Sequence, residues 1–321
     1  MKAGLENALY SNAKVLLKRG DVNAIALGYR RRGGRQTSEP SIKVFVPVKL
    51  PPELLSPAQL IPRQLNGGIE TDVEEMDVPA SPPLLVDPPS VPRATAFALA
   101  GPIRSLRMGE SGGYYLSFAG SLGIWAKTSS AERSFGLFVS CNHVLADFNR
   151  AIPGAPVIQP ALAQGGAYPR DYKGNVRNFV PLWFGPTLHN FVDAAAAVAL
   201  TPQRWNEVHG IGLVRGIGNS HSPLVGRSVR KHGAGSGLTT GRIVAQQALV
   251  KVDYWAIGPT GRNTLFVNQI IADCPCQFGD SGSILFDEDN IAIGLLFAGS
   301  ATHSFFAPLD IVSLFLGISL L

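Results

Sequence analysis

Phe278-Gly279-Asp280-Ser281-Gly282-Ser283-Ile284 decides how this chain is read. A serine between glycines, on a turn leading into an apolar run, holds one hydroxyl open to a carbonyl. That hydroxyl is a weak nucleophile until a base removes its proton. The turn therefore demands a histidine from elsewhere in the chain, and an acid to orient it.

Both are present upstream. Phe135-Gly136-Leu137-Phe138-Val139-Ser140-Cys141-Asn142-His143-Val144-Leu145 reads as a strand ending in small polar residues, with His143 directly after them. Asp193 is the lone charge in Phe191-Val192-Asp193-Ala194-Ala195-Ala196-Ala197-Val198-Ala199-Leu200. A carboxylate among apolar neighbours is costly unless hydrogen-bonded, and a histidine ring N–H would satisfy it. The chain order is histidine, acid, serine, which separates it from the subtilisin and α/β-hydrolase orders.

This order and these motifs, over roughly residues 101–321, resemble the chymotrypsin-like serine proteases. Gly233-Ala234-Gly235-Ser236-Gly237-Leu238-Thr239-Thr240-Gly241-Arg242-Ile243-Val244 and Ile293-Gly294-Leu295-Leu296-Phe297-Ala298-Gly299-Ser300 narrow the likeness. Together with the serine turn, they resemble the plant narrow-leaf family and its bacterial relatives, which are trypsin-like proteins with an extra N-terminal segment. Cys141-Asn142-His143 stands where secreted relatives carry Ala-Ala-His-Cys, so the disulfide beside the histidine is missing. The fold the resemblance implies is mainly β: a double six-stranded antiparallel β-barrel behind a small α+β unit.

Composition agrees with a folded, strand-rich protein. The 321 residues are 45% hydrophobic and 16% charged, and the 35 glycines and 24 prolines suit short strands and tight turns rather than long helices. The net charge is +5, with cations densest in Arg30-Arg31-Arg32-Gly33-Gly34-Arg35. That block reads as a solvated turn between strands. No interleaved aromatics or zinc-knuckle spacing support nucleic acid as a partner. Three cysteines, Cys141, Cys274 and Cys276, are too few for a disulfide framework and argue for a reducing, cytoplasmic setting. Met1 to Gly20 has no continuous apolar signal core. No run reaches the about 18 apolar residues of a membrane span.

Three sections are expected. Residues 1–78 form the small α+β unit, with a helix over Leu5 to Leu17, strands over Ala24 to Tyr29 and Ile42 to Val48, and a short helix from Pro57 to Leu60. Val44, Val46 and Val48 alternate with Lys43, Phe45 and Pro47 as in a half-buried strand. Glu70, Asp72, Glu74, Glu75 and Asp77 read as a solvated acidic face. Residues 79–100, with Pro79, Pro82, Pro83, Pro88, Pro89 and Pro92, read as an extended linker. Residues 101–321 are the protease domain, one barrel over about 101–205 and the other over 206–321. The first takes strands at Tyr114 to Phe118, Gly123 to Ala126, Gly136 to Val139 and Val192 to Leu200. The second takes Ser228 to Lys231, Arg242 to Val250, Thr264 to Ile271, Ser283 to Phe286, Ala292 to Phe297 and Ser304 to Ala307. A helix over Ile311 to Leu316 closes the chain.

The resemblance assigns roles. Ser281 attacks a peptide carbonyl, His143 carries the proton, and Asp193 holds the ring. The backbone N–H groups of Gly279 and Ser281 form the oxyanion hole. The substrate pocket falls to Pro275, Cys276, Phe278, Phe297, Ala298 and Gly299. With Pro275 where trypsin-type members place an acid, a neutral P1 residue is expected. In activated digestive relatives the residue matching Asp280 pairs with an N-terminus freed by cleavage; no cleavage site is evident here, so cleavage is not the expected trigger. No cofactor and no metal are expected: His209, His221 and His232 have no ligands at metal spacing, and His189 and His303 stand alone. The expected partner is a peptide or protein substrate. The N-terminal unit leaves two roles open, homo-oligomer contact or a regulatory partner. The reading beside a serine endopeptidase is a catalytically silent or latent scaffold of the same fold.

Overall fold

Apolar side chains recur along Ala3–Leu16 at three- and four-residue steps (Leu5, Ala8, Leu9, Ala13, Leu16), which places them on one face of a helix, α1. The computed structural model describes residues 3–65, 68–81, 105–117, 119–127, 136–185, 188–201, 206–255 and 263–320. The apolar face of α1 closes over β1 (Ala24–Arg32) and β2 (Arg35–Val46), meeting Ile25, Leu27, Ile42 and Val44. Ala24, Ala26 and Phe45 project the other way, into the larger core. The arginine block forms the hairpin between β1 and β2. Its Gly33 and Gly34 have φ of 56° and 79°, the left-handed pair a two-residue turn requires.

Two expectations for this unit are corrected. The acidic stretch is a strand, β4 (Ile69–Glu75), preceded by β3 (Gln64–Leu65) and parallel to β2. Its carboxylates are not all in water, because Lys43 is itself buried and needs them. Lys43 Nζ stands 3.5 Å from Asp72 Oδ2 and pairs more closely with Glu74. Neither face of β2 is therefore solvated at Lys43. The helical turn lies at Pro52–Leu54, where Pro52 supplies its fixed φ at the start, and Pro57 to Leu60 is not helical.

The next elements are β5 (Gly113–Tyr114), β6 (Ile124–Ala126), β7 (Leu137–Ser140), helix α2 (Asn142–Leu145), β8 (Pro156–Ile158), β9 (Tyr172–Phe179), β10 (His189–Asn190) and β11 (Ala195–Ala199). Six of these strands form one antiparallel sheet, ordered β5-β8-β9-β11-β7-β6. The strand expected to run to Phe118 ends at Tyr114, and Phe118 lies outside the described residues. β8 and β9 were not foreseen: β8 is three residues long and begins at a proline, and polar residues interrupt the apolar pattern of β9.

The last elements are β12 (Glu207–Val208), β13 (Gly212–Leu213), β14 (Gly216–Ile217), β15 (Ser228–Gly233), β16 (Gly237–Asp253), β17 (Asn263–Ala272), β18 (Ile284–Asp287), β19 (Ile291–Gly299), β20 (Ser304–Pro308) and helix α3 (Leu309–Leu316). Strands β15 to β20 pair in a ring, β15-β16-β17-β20-β19-β18 and back to β15. The fold is thus mainly β, a trypsin-like pair of six-stranded units behind a small α+β unit. The sheet of the α+β unit is continuous with the second ring, because β1 pairs with β16 from Ala24↔Val250 to Gly28↔Ala245. Of the expected linker, Pro79 to Ser81 pair with the barrel strands, and residues 82–100 lie outside the described residues. One core, from Ala24 through Phe138 and Ala196 to Phe297 and Leu316, runs through both six-stranded units. Among the described residues, no helix is long and apolar enough to cross a membrane.

Candidate active site

His143 sits on α2, the short turn that follows β7, and Asp193 lies just before β11, the neighbour of β7. Their strands are adjacent, so residues far apart in sequence meet. The His143 ring Nδ1 lies 2.5 Å from Asp193 Oδ2, and the His143 backbone N–H donates to Asp193 Oδ1 at 3.2 Å. Asp193 is wholly buried. This satisfies the lone carboxylate of the apolar run and fixes the ring with Nε2 turned away from the acid.

A third donor to Asp193 was not visible in the sequence. The Tyr254 hydroxyl donates to Oδ2 at 2.7 Å. Tyr254 is buried at the end of β16, its ring edge-on to His143 at 6.2 Å and stacked on Phe266 at 5.9 Å. Burial, then the neighbouring Asp193 charge, pushes its phenol well above the ordinary range. It therefore remains a proton donor to the carboxylate. Only an aromatic at the end of the alternating run Val250-Lys251-Val252-Asp253-Tyr254 hints at it.

Beyond α2, Asp147, Phe148 and Asn149 all have left-handed φ (44°, 55° and 74°). For residues other than glycine this costs about 1–2 kcal/mol each. Two amides hold the turn: Asn142 Nδ2 donates to Asn149 Oδ1 at 2.7 Å, and the Asn149 N–H donates back to Asn142 Oδ1 at 3.1 Å. The result lays the Phe148 ring on His143, with centroids 5.7 Å apart and planes at 23°.

Ser281 reaches the same seam from the second ring. Its carbonyl accepts from the Ser121 N–H at 2.8 Å. Leu296 O accepts both the Gly282 N–H (2.8 Å) and the Cys141 thiol (3.0 Å). One oxygen thus ties the residue after Ser281 to the residue two before His143. Gly282, at φ 95°, has no room for a side chain: a Cβ would lie 2.1 Å from Ser121 O and from Ser140 Oγ. Ser281 Oγ and His143 Nε2 are both buried, and neither has a hydrogen-bond partner among the described residues. The structure thus joins His143 to Asp193 and brings Ser281 to the seam, with the serine–histidine hydrogen bond unmade.

Asp280 organises the serine turn. Its Oδ1 accepts the N–H groups of Gly235 (2.9 Å) and Ser236 (3.0 Å). Its Oδ2 accepts the Gln277 N–H (2.8 Å), the Ser236 hydroxyl (2.6 Å) and Lys231 Nζ (3.0 Å). Lys231 and Asp280 are both wholly buried. The glycine-rich turn explains itself here, since a Cβ on Gly235 would lie 2.3 Å from Phe278 O. Gly279 takes φ 96°. Among the described residues, the Gly279 and Ser281 N–H groups donate to no protein acceptor.

The expected pocket residues are placed unevenly. Phe297 packs on Phe266, with ring centroids 4.4 Å apart, and Cys276 lies in a core with Cys274 and Phe306. Burial, then Asp280, pushes the Cys276 thiol up to about 12. Pro275 is exposed, and Phe278 is half-buried with its ring 6.4 Å from Trp255. Ala298 and Gly299 lie at the buried end of β19. All three cysteines are free thiols. Ligand atoms of Cys141, His143 and Asp193 lie within 4.8 Å of one another, the spacing of a metal site. The Cys141 thiol, however, is held protonated by burial and by Asp193, and it donates to Leu296 O. Nδ1 and Oδ2 are already hydrogen-bonded to each other, so this set does not fit an ion without being rebuilt.

Residues 11–76 match the NARROW LEAF 1 N-terminal domain. Over 310 residues the chain is 26% identical to Protein NARROW LEAF 1 of Oryza sativa subsp. japonica, covering 87% of this chain. The chain resembles the narrow-leaf proteins. It spans about half the length of that narrow-leaf relative, 51%. Among solved structures, Thermobifida fusca Protease A overlaps 67% of this chain and 97% of its own, at TM-score 0.46 and 18% identity. A glutamic acid specific serine protease overlaps 67% of this chain and all of its own, at TM-score 0.48 and 16% identity. Both are bacterial-type chymotrypsin-like serine proteases in fold, while the narrow-leaf likeness extends over the N-terminal unit as well.

Proposed function

We propose that this narrow-leaf-like chain is a serine endopeptidase acting through Ser281, His143 and Asp193. The observation that carries the reading is the His143–Asp193 contact, buried and backed by Tyr254, beside a serine turn whose two N–H groups are unspent. In the reaction, His143 Nε2 takes the proton of Ser281 as its Oγ bonds to the peptide carbon. The carbonyl electrons move to oxygen, where the Gly279 and Ser281 N–H groups receive them. The tetrahedral adduct collapses, His143 passes the proton to the leaving amine, and an acyl-enzyme remains. Water then repeats the sequence and frees Ser281. The step needs no cofactor or metal.

The substrate in this reading is a peptide with a neutral P1 residue, approached by residues 101–321, with 1–78 as the N-terminal unit and 79–100 as the connection. Free buried thiols support a reducing, cytoplasmic compartment. The second reading, a latent or silent scaffold, is favoured by one observation: Ser281 and His143 are buried and not hydrogen-bonded to each other. A fluorophosphonate probe distinguishes the two. Labelling of the wild-type chain but not of Ser281→Ala supports the enzyme. A folded wild type that stays unlabelled even after opening of the site refutes it.

A further inference from the structure

The end of β19 has two edges. One pairs with β20, at Ala298↔Phe305 and Gly299↔Ser304. The other is where an extended peptide could add as a strand on its way to Ser281, since three residues earlier Leu296 is bonded to Gly282 and Ser283. That edge is already taken. The Ala80 N–H donates to Gly299 O at 2.8 Å, and the Gly299 N–H donates to Ala80 O at 3.0 Å, a reciprocal antiparallel pair. The Ser81 hydroxyl donates to Phe297 O at 2.6 Å.

On its far side the same segment is held by the end of β16. The Asp253 N–H donates to Pro79 O at 2.8 Å, and the Ser81 N–H donates to Asp253 O at 2.9 Å. Residues 79–81 are thus a short strand inserted between β16 and β19, and both Ala80 and Ser81 are buried. Its direction matters. Because it runs antiparallel to β19, it passes from Gly299 towards Phe297, and Leu296 beyond that is tied to the serine turn. A peptide presenting a carbonyl to Ser281 would run the same way on the same edge. The Ser81 N–H is bonded to Asp253, the residue before Tyr254, whose phenol bonds Asp193. The segment therefore borders the residue that supports the His143–Asp193 pair.

We propose that Pro79-Ala80-Ser81 is a built-in competitor of the substrate, occupying the peptide-docking edge of β19 and holding this state latent. The proposal rests on the hydrolase reading of the site and names its regulation. A substrate peptide gains access by exchanging with residues 79–81, which offer mainly backbone and only small side chains to the cleft. Opening the edge also frees Ser81 from Phe297 and from Asp253, the residue before Tyr254.

The test uses the full-length chain with Ser281→Ala, so that binding is read without chemistry. Ala80→Pro removes the N–H given to Gly299, and Ser81→Ala removes the bond to Phe297 O. A fluorescein-tagged mixture of random hexapeptides is the probe, read by polarisation, with hydrogen exchange over 295–303 as a second readout. Ala80→Pro is expected to tighten peptide binding at least tenfold and to speed exchange at Gly299 at least tenfold. Ser81→Ala is expected to do both about threefold. Unchanged binding and exchange in a folded Ala80→Pro chain overturns the proposal. Should that variant not fold, Ser81→Ala decides alone by the same criterion. With Ser281 intact, Ala80→Pro is expected to label faster with fluorophosphonate. Tighter peptide binding without labelling keeps the docking inference and removes the hydrolase reading.

Discussion

Replacing Lys231 by methionine tests how the serine turn is held. The change keeps the length and apolar stem of the side chain and removes only the ammonium. Two bonds go, to Asp280 Oδ2 at 3.0 Å and to Ser236 Oγ at 2.7 Å. The carboxylate left behind is wholly buried. Breaking a buried pair from one side costs about 3–5 kcal/mol, because the remaining charge has no counterion. Asp280 keeps four donors, from the Gly235, Ser236 and Gln277 backbones and the Ser236 hydroxyl. These hold the expected loss near the lower end, about 3 kcal/mol by urea unfolding. Lys231→Met with Asp280→Asn removes both charges, and the double variant is expected to lose less than the two single losses added, with a coupling of about 1–3 kcal/mol. The turn from Gln277 to Ser281 carries the proposed oxyanion donors, so fluorophosphonate labelling should fall at least about 10²-fold in the single variant. A loss below about 1 kcal/mol with no coupling, and unchanged labelling, would show that the turn stands without its buried cation.

Tyr254→Phe keeps the ring packing and removes one hydrogen bond to a buried carboxylate, so it is expected to cost about 1.5–3 kcal/mol in a thermal melt and to slow labelling of Ser281. Gly282→Ala forces a methyl to 2.1 Å from Ser121 O at a left-handed φ, and is expected to lose about 3 kcal/mol or more in urea. His303, beside Phe45, has its pKa lowered to about 4 by burial. Below its unfolded value near 6.5 only the unfolded chain takes up the proton, so stability is full above pH about 6.5 and falls towards pH about 4. Because the side chain is partly exposed, the loss is expected at about 1–2 kcal/mol, and His303→Gln should flatten the pH dependence of the urea midpoint.

What could be read in advance was local. The serine turn and the strand before His143 are contiguous patterns, and Asp193 stood out as one charge in an apolar run. In the second ring β15 alternates, while β18, β19 and β20 are largely apolar runs buried on both faces. What could not be read depends on which residue faces which across the fold. Lys43 looked like the solvent-side partner of Val44 until β4 laid Asp72 and Glu74 against it. Lys231 was only the last residue of an expected strand, and the pairing of β15 with β18 carries it beneath Asp280. Tyr254 has no motif at all, since its role arises from the end of β16 meeting the loop before β11. The pocket assignment rested on position, just before the serine and on a later strand, and position does not say that Phe297 and Cys276 turn into cores.

The pairing of β1 with β16 bears on anyone who trims this chain to its proposed protease domain. Cutting after residue 78 would strip a hydrogen-bonded neighbour from β16 and pull Ala24, Ala26 and Phe45 out of a shared interior. The shortened product would carry a raw, sticky flank ready to recruit another copy. Insolubility of such a truncation would therefore report a missing wall rather than a failed enzyme.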